Sequence, residues 1–270
     1  MKVAICGCAI NCAKYIDEIF KNISLMSQKL KISHIIISYD ESQDDTLKKL
    51  ERFEKYSNIV HIIKTDKPLT NNRIQNITNS RNRIMNFLSG LEKKPDYYIM
   101  MNFDNSCYEP LDLNVLKSAF KIKEEWDSIS FNNEQYHDYW ALSFDEFIFS
   151  CWNMPNPKDI MKDMNLQLKK KLKKQKYIEV DSAYNGFAIY RTETFINERY
   201  QSMIDFSIFD KNKLIKLMAK YKFKIIKQYF HDCEHRSFHF NAKKNKNARI
   251  LLLKKNLFPK YFKKDELKLC

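Results

Sequence analysis

Apolar residues along this chain fall into short unbroken runs separated by stretches with helical spacing. Val3-Ala4-Ile5-Cys6, His34-Ile35-Ile36-Ile37-Ser38-Tyr39, Ile59 to Ile63 and Tyr97-Tyr98-Ile99-Met100-Met101 are such runs. Consecutive apolar positions over so short a length predict strands buried on both faces. Between them, Ile16, Ile19, Phe20, Ile23 and Met26 recur at helical intervals behind Asn11, a suitable N-cap. Leu47, Leu50 and Phe53 mark a second helix. Residues 70–89 mark a third, carrying Ile74, Ile77, Ile84 and Leu88, with Gly90 placed as its C-cap. The order β-α-β-α-β-α-β predicts an α/β fold whose mainly parallel sheet is flanked by helices, with right-handed crossovers.

The pattern loosens after Pro110. Leu113 to Glu125 reads as a helix and Asp127 to Phe131 as a strand. Residues 133–157 are aromatic-rich and irregular; residues 158–176 are Lys-rich and read as an exposed helix or a mobile loop. Gly186 to Tyr190 and Phe223 to Gln228 read as late strands, followed by the polar stretch His231 to His239. The chain therefore divides into residues 1–110, residues 111–240 and a basic tail, 241–270, within one domain, as its 270 residues allow.

Charge changes this picture locally. The net charge of +14 resides in two places: six lysines between Lys169 and Lys176, and ten Lys or Arg against Asp265 and Glu266 from residue 240 onward. Such segments suit an acidic membrane surface, a phosphorylated acceptor or nucleic acid, and a plainly solvated surface is the simpler reading. Confinement to two segments, with no recognised binding motif, disfavours a nucleic-acid-binding module. No signal peptide or spanning segment is visible, so a cytoplasmic protein is expected, peripheral to a membrane if the lysines meet lipid. The seven scattered cysteines are then reduced thiols, and Cys6, Cys8 and Cys12 lack the second pair that a zinc site needs.

Candidate chemistry begins at the end of the fourth strand. Asn102 and Asp104 lie two apart at its carboxyl end, where ligands sit in open α/β sheets, and so aim the same way. A carboxylate beside an amide oxygen suits a hard divalent cation that also holds phosphates. Two further polar clusters precede it: Asp40-Glu41-Ser42-Gln43-Asp44-Asp45-Thr46 after the second strand, and Arg81-Asn82 in the third helix.

In that order and spacing the three clusters resemble those of GT-A fold nucleotide-sugar glycosyltransferases, most closely the family-two type; the segment from Arg73 to Asn82 is more loosely similar to capsule-associated mannosyltransferases. The resemblance covers residues 1 to about 110. It implies a GT-A-like, Rossmann-like sheet with an elaborated C-terminal acceptor region. The implied activity is transfer of a sugar from a nucleotide-diphosphate sugar to a hydroxyl of a glycan, glycoprotein or glycolipid, with Mn2+ or Mg2+ as cofactor. The resemblance places donor binding at Asp40, Ser42, Asp45, Arg81, Asn82 and Asn102. It places the metal at Asp104 and Asn102, with a late histidine, His235 or His239, as a further ligand. Asn102 departs from the family pattern, which has Asp there. An inverting reaction needs a base; Asp138, Asp145, Asp181 and Glu234 are candidates, with Asp138 and Glu234 favoured, the former among aromatics able to stack on a sugar ring. The rival readings are a basic nucleic-acid-binding protein, a nucleotidyltransferase lacking its usual phosphate loop, and a non-catalytic glycosyltransferase relative, which Asn102 keeps open.

Overall fold

The computed structural model describes residues 1–65, 69–122, 125–133, 136–224 and 231–259. The apolar runs form β1 (Lys2–Ala9), β2 (Lys31–Tyr39), β3 (Val60–Lys64) and β4 (Tyr97–Met101), all parallel, in the spatial order β3-β2-β1-β4. The crossovers are α1 (Ala13–Ser27), α2 (Thr46–Tyr56) and α3 (Arg73–Gly90). The chain moves outward from β1 through β2 to β3, then returns to place β4 on the other side of β1. The carboxyl ends of β1 and β4 are therefore a topological switch point, where an open α/β sheet leaves a crevice.

The second half extends the same sheet. It contributes α4 (Leu113–Phe120), β5 (Ser128–Asn132), α5 (Pro157–Lys174), β6 (Tyr177–Val180), β7 (Phe187–Arg191), α6 (Thr192–Phe195), α7 (Lys211–Lys220), α8 (Glu234–Lys246) and β8 (Ile250–Asn256). The full order is β3-β2-β1-β4-β7-β5-β8-β6, with β7 antiparallel to both β4 and β5. The mainly parallel sheet flanked by helices agrees with the α/β expectation.

Alternate residues of each buried strand feed opposite layers, as the pleat requires. Val3, Ile5, Ile37 and Ile99 join Ile16, Ile19 and Leu116 on one face. Ala4, Cys6, Ile36 and Met100 join Ile84, Leu88 and Phe238 on the other. A third cluster lies under the aromatic segment, where Phe144, Phe147 and Phe149 meet Ile160, Met164, Leu168 and Leu172 of α5.

Several boundaries differ from expectation for identifiable reasons. Asn11 is not the N-cap of α1; Cys12 is. Asn11 adopts a left-handed φ of 46°, and its side chain instead accepts from the Gln43 N–H at 2.7 Å. Gly90 is the last helical residue of α3, and extended Leu91 caps it. α4 stops at Phe120, and Trp126 turns back into the core against Tyr97, 5.3 Å away. The Lys-rich segment is a packed amphipathic helix, α5, held by its four buried apolar residues. The expected basic tail supplies β8, whose Ile250, Leu251, Leu252 and Leu253 are buried within the sheet. The expected strand from Phe223 lies mostly outside the described residues, and Phe223 and Lys224 are not in a strand.

Gly7 occupies a position with no room for a side chain: a Cβ there would lie 2.3 Å from the Phe103 ring and 2.9 Å from the Met101 carbonyl oxygen. Gly7→Ala is expected to destabilise the fold by about 1–3 kcal/mol through overpacking. A urea titration checks this; a midpoint equal to wild type would show that Phe103 is free to yield.

Candidate functional site

The site grows from the strand ends at the switch point. The Asp40 N–H donates to the Ala9 carbonyl at 3.0 Å, extending the β1–β2 pairing by one residue and fixing the backbone there. The Asp40 carboxylate, 5% exposed, accepts from Ser80 Oγ at 2.7 Å and from the Arg83 guanidinium. Arg83 also donates to Ser38 Oγ at 2.9 Å. The brace for Asp40 is thus Arg83, not Arg81. Sequence reasoning missed it, although Ser80 and Arg83 stand three apart on α3 and so share a face.

The loop after Asp40 is held by its own side chains. Ser42 Oγ accepts from the Asn11 N–H at 3.0 Å, and Asp44 accepts from the N–H groups of Thr46 and of Ala13, each at 3.0 Å. Asp44 thereby satisfies an orphan donor at the start of α1. Asp45 is exposed at the N-cap of α2 and makes no side-chain cap bond.

Asn102 and Asp104 follow β4 directly. The Asn102 N–H donates to the Gly186 carbonyl at 2.9 Å, and its Oδ1 accepts from the Tyr184 hydroxyl at 2.9 Å. Asp104 Oδ1 accepts from the Ser106 N–H at 2.8 Å and from Ser106 Oγ at 2.6 Å. Behind them Gly186 has φ +86°, and a Cβ there would meet Ser106 Oγ at 2.7 Å, so the support of Asp104 requires glycine.

Arg81, 3% exposed, donates to Glu234 Oε1 and to His235 Nε2, and its guanidinium lies 4.7 Å above the Tyr184 ring. Burial, and then the Arg81 charge, hold the His235 imidazole well below its usual pKa, hence neutral. Neighbouring Asn82 lies elsewhere: its amide bonds the N–H and carbonyl of Tyr200, each at 2.9 Å.

Of the four candidate bases, Asp138 and Glu234 line the cleft. Asp145 is paired with Lys171 at 2.8 Å and Asp181 with Lys243 at 3.0 Å, both outside it. Asp138 accepts from the Ala141 N–H at 3.2 Å. Burial pushes its carboxyl up to about 6 against the pull of that N–H, and the Glu234 charge adds to the rise. The loop bearing Asp138 hangs on Asn185, whose Oδ1 accepts from the N–H groups of His137 and Asp138 at 3.3 and 3.2 Å.

These residues enclose one cleft of about 960 Å³. Asp40, Arg81, Asn102, Asp104, Asp138 and Glu234 all line it, with His235 in its wall. Ser42, Asp45 and Asn82 do not. His239 does not either, and its ring is engaged elsewhere. Fully buried, it meets Ser182 Oγ through Nδ1 at 2.8 Å and the Tyr190 hydroxyl through Nε2 at 3.0 Å. Burial drives its pKa down to about 3. His235 and His239 do share a face of α8, as their spacing implies, but that face packs on the sheet, their rings 5.7 Å apart.

Among the described residues no three His, Cys, Asp or Glu side chains are arranged to hold a metal. Past the end of β4 the cleft offers one carboxylate, Asp104, and one amide, Asn102. That set fits a magnesium-type cation, which takes one or two carboxylates and completes its shell with phosphates and water.

No family model and no curated protein sequence matches this chain. Its structure does resemble solved ones. A crystal structure of S. aureus TarS aligns with TM-score 0.51 at 14% identity, covering 96% of this chain and 36% of that one. TarS 1-349 in complex with UDP-GlcNAc aligns with TM-score 0.49 at 15% identity, covering 96% and 57%. Mannosyltransferase PcManGT from Pyrobaculum calidifontis, in complex with GDP-Man and Mn2+, gives 0.44 at 11%, covering 81% and 52%. The chain thus spans little more than a third of the first of these. That first likeness shows a shared fold, the GT-A arrangement that the sequence motifs resemble.

Arg81→Met is expected to lower the unfolding free energy by about 3–5 kcal/mol, because it strands the Glu234 carboxylate in the interior. Adding Glu234→Leu should restore much of the loss. Urea titration of the single and double variants checks both; additive losses would mean the two groups are not coupled.

Proposed function

We propose that this chain is a glycosyltransferase that moves a sugar from a nucleotide-diphosphate sugar to a hydroxyl acceptor, with inversion and with the help of a divalent cation. One observation carries the reading: at the switch point of a GT-A sheet, one cleft is lined both by Asp104, just past β4, and by Asp138, whose carboxyl burial raises to about 6. A cation, when bound, would neutralise charge developing on the leaving diphosphate. Asp104 and Asn102 are the residues to hold it.

The remaining roles belong to the chain's own groups. Asp40, fixed by Ser80 and Arg83, keeps a rigid acceptor for a base N–H or a ribose hydroxyl. Asp138 takes the proton from the acceptor hydroxyl. At neutral pH it is mostly ionised, yet it is more basic than an ordinary carboxylate, as a general base should be. Tyr139, Trp140 and Trp152 line the same cleft and offer faces for a sugar ring. Arg81 is committed to Glu234, so it braces the cleft wall instead of gripping the diphosphate. Lys169, Lys170, Lys173 and Lys174, exposed on α5, suit an acidic surface and take no part in the chemistry. Among the described residues no helix is long and apolar enough to cross a membrane.

Asp104→Ala should abolish transfer and remove manganese-dependent tightening of nucleoside-diphosphate binding while the circular dichroism spectrum stays unchanged. Calorimetric titration of UDP, GDP and other nucleoside diphosphates with and without manganese checks it. Wild-type linkage between metal and nucleotide in the variant would show that Asp104 does not hold the cation.

Asp138→Asn should cut kcat by about 10²–10⁴-fold and leave donor affinity intact, as expected for loss of a general base. For the wild type, kcat should fall as pH drops through about 6, the value to which burial raises this carboxyl. The sign follows from the role: the base is needed ionised, and acid protonates it. A pH–rate profile flat from 5 to 8, or an Asn variant retaining turnover, would remove Asp138 from the chemistry.

A further inference from the structure

The cleft is not uniform in charge. Its inner acids are largely compensated: Asp40 pairs with Arg83 and Glu234 with Arg81. Asp104 and Asp138 are the two given work above. It also has a basic stretch. α5 presents Lys158, Met161, Lys162 and Asn165 to it, at spacings of a single helix face. The start of α3 presents Arg73 to the same cleft.

These cations are available. Among the described residues, Arg73 and Lys158 have no ion-pair partner. Lys162 has only Asp159, at 3.5 Å, with both side chains more than seventy per cent exposed, a contact worth little. Two 18-residue helices also begin at this stretch and bring their positive dipole ends to it. At the start of α5 Pro157 has no N–H and the Asp159 N–H donates to the Asn156 carbonyl at 3.0 Å, so what this helix end brings is its lysines and its dipole. The start of α3 is also braced: the Asn72 amide meets His231 Nε2 at 2.7 Å, and Asn153 Nδ2 donates to the His231 carbonyl at 3.1 Å. A basic stretch beside aromatic walls, in a braced cleft, is chemistry for a sugar that carries a compact anion. Lysine acts as a point-charge binder of phosphate, and no metal is needed for it.

We infer that the acceptor is a phosphate-bearing sugar, its phosphate met by Lys158, Lys162 and Arg73 in the cleft. This rests on the glycosyltransferase reading for the word acceptor, but not for the anion site itself.

The test uses the full chain and two probes, glucose 6-phosphate and glucose, titrated calorimetrically with and without saturating UDP. The phosphorylated sugar should bind about ten-fold or more tightly, the equivalent of one charge-assisted hydrogen bond, and its affinity should fall with added salt. The triple variant Arg73→Gln, Lys158→Gln, Lys162→Gln should erase that preference and leave UDP affinity within about two-fold, a change too small to mark a lost contact. Equal binding of the two sugars, or binding of neither, overturns the inference. So does a glucose 6-phosphate signal that UDP abolishes, or a triple variant that loses UDP in parallel, since the cations then serve the donor diphosphate. Failure of the functional reading shows differently: no nucleoside diphosphate binds, while the phosphate preference and its loss in the variant persist.

Discussion

The contact between Arg81 and Glu234 is the constraint on which the rest of the cleft depends. Both groups are almost wholly buried, and neither charge is tolerable in the interior alone. Arg81 belongs to the crossover helix of the first half, and Glu234 opens α8 of the second. The pair therefore joins the two walls of the cleft at depth. Asn82 repeats the device one residue on by clasping the Tyr200 backbone, and Asn72 repeats it at the rim through His231. Three polar residues spread along α3 thus tie the opening to the second half, and its dimensions follow from helix geometry.

Within that frame, carboxylates sharing one cleft are kept distinct by what each one faces. Asp40 faces a guanidinium and a hydroxyl; Glu234 faces a guanidinium; Asp104 faces the N–H and hydroxyl of Ser106. Asp138 faces backbone N–H groups, and the Glu234 carboxylate pushes its pKa up more than Arg81 pulls it down. Desolvation therefore wins at Asp138, and its carboxyl is the one that rises. The separation of roles needs no unusual residue types, only four environments on four elements.

The first half of this architecture was legible in the sequence because burial on both faces leaves an unmistakable apolar run, and because helix periodicity between the runs is regular. That Asp40, Asn102 and Asp104 share one cleft follows from their places after such runs, whereas Asp138 stood out only through the aromatics around it. Other features were not. An apolar run carries no record of strand direction, so the insertion of β7 antiparallel between β4 and β5 could not be read, nor could the use of Ile250 to Asn256 as a sheet strand within a basic segment. Arg83 was hidden because a charged helix residue usually means solvent. The packing of His239 was not legible because its i, i+4 relation to His235 is the same whether the shared face meets a metal or a core.

The second half shows how a long irregular segment can still hold a side chain to a fixed position. Residues 136–152 have little regular structure, and their backbone polar groups need partners inside the protein. Arg236, with no exposed surface, supplies several: it donates to the carbonyls of Trp140 and Leu142 and to Ser143 Oγ, while Asp232 balances its charge at 2.9 Å. Asn185 supplies the others, from a left-handed conformation that aims its amide at the His137 and Asp138 N–H groups and at the Phe131 carbonyl. The loop between them, with Asp138 at its cleft side, is pinned at both ends by buried side chains from α8 and from the turn before β7. A loop so anchored has the positional accuracy of a regular element and is free of its side-chain periodicity. That combination lets one segment present a carboxylate and several aromatic faces to the same cleft.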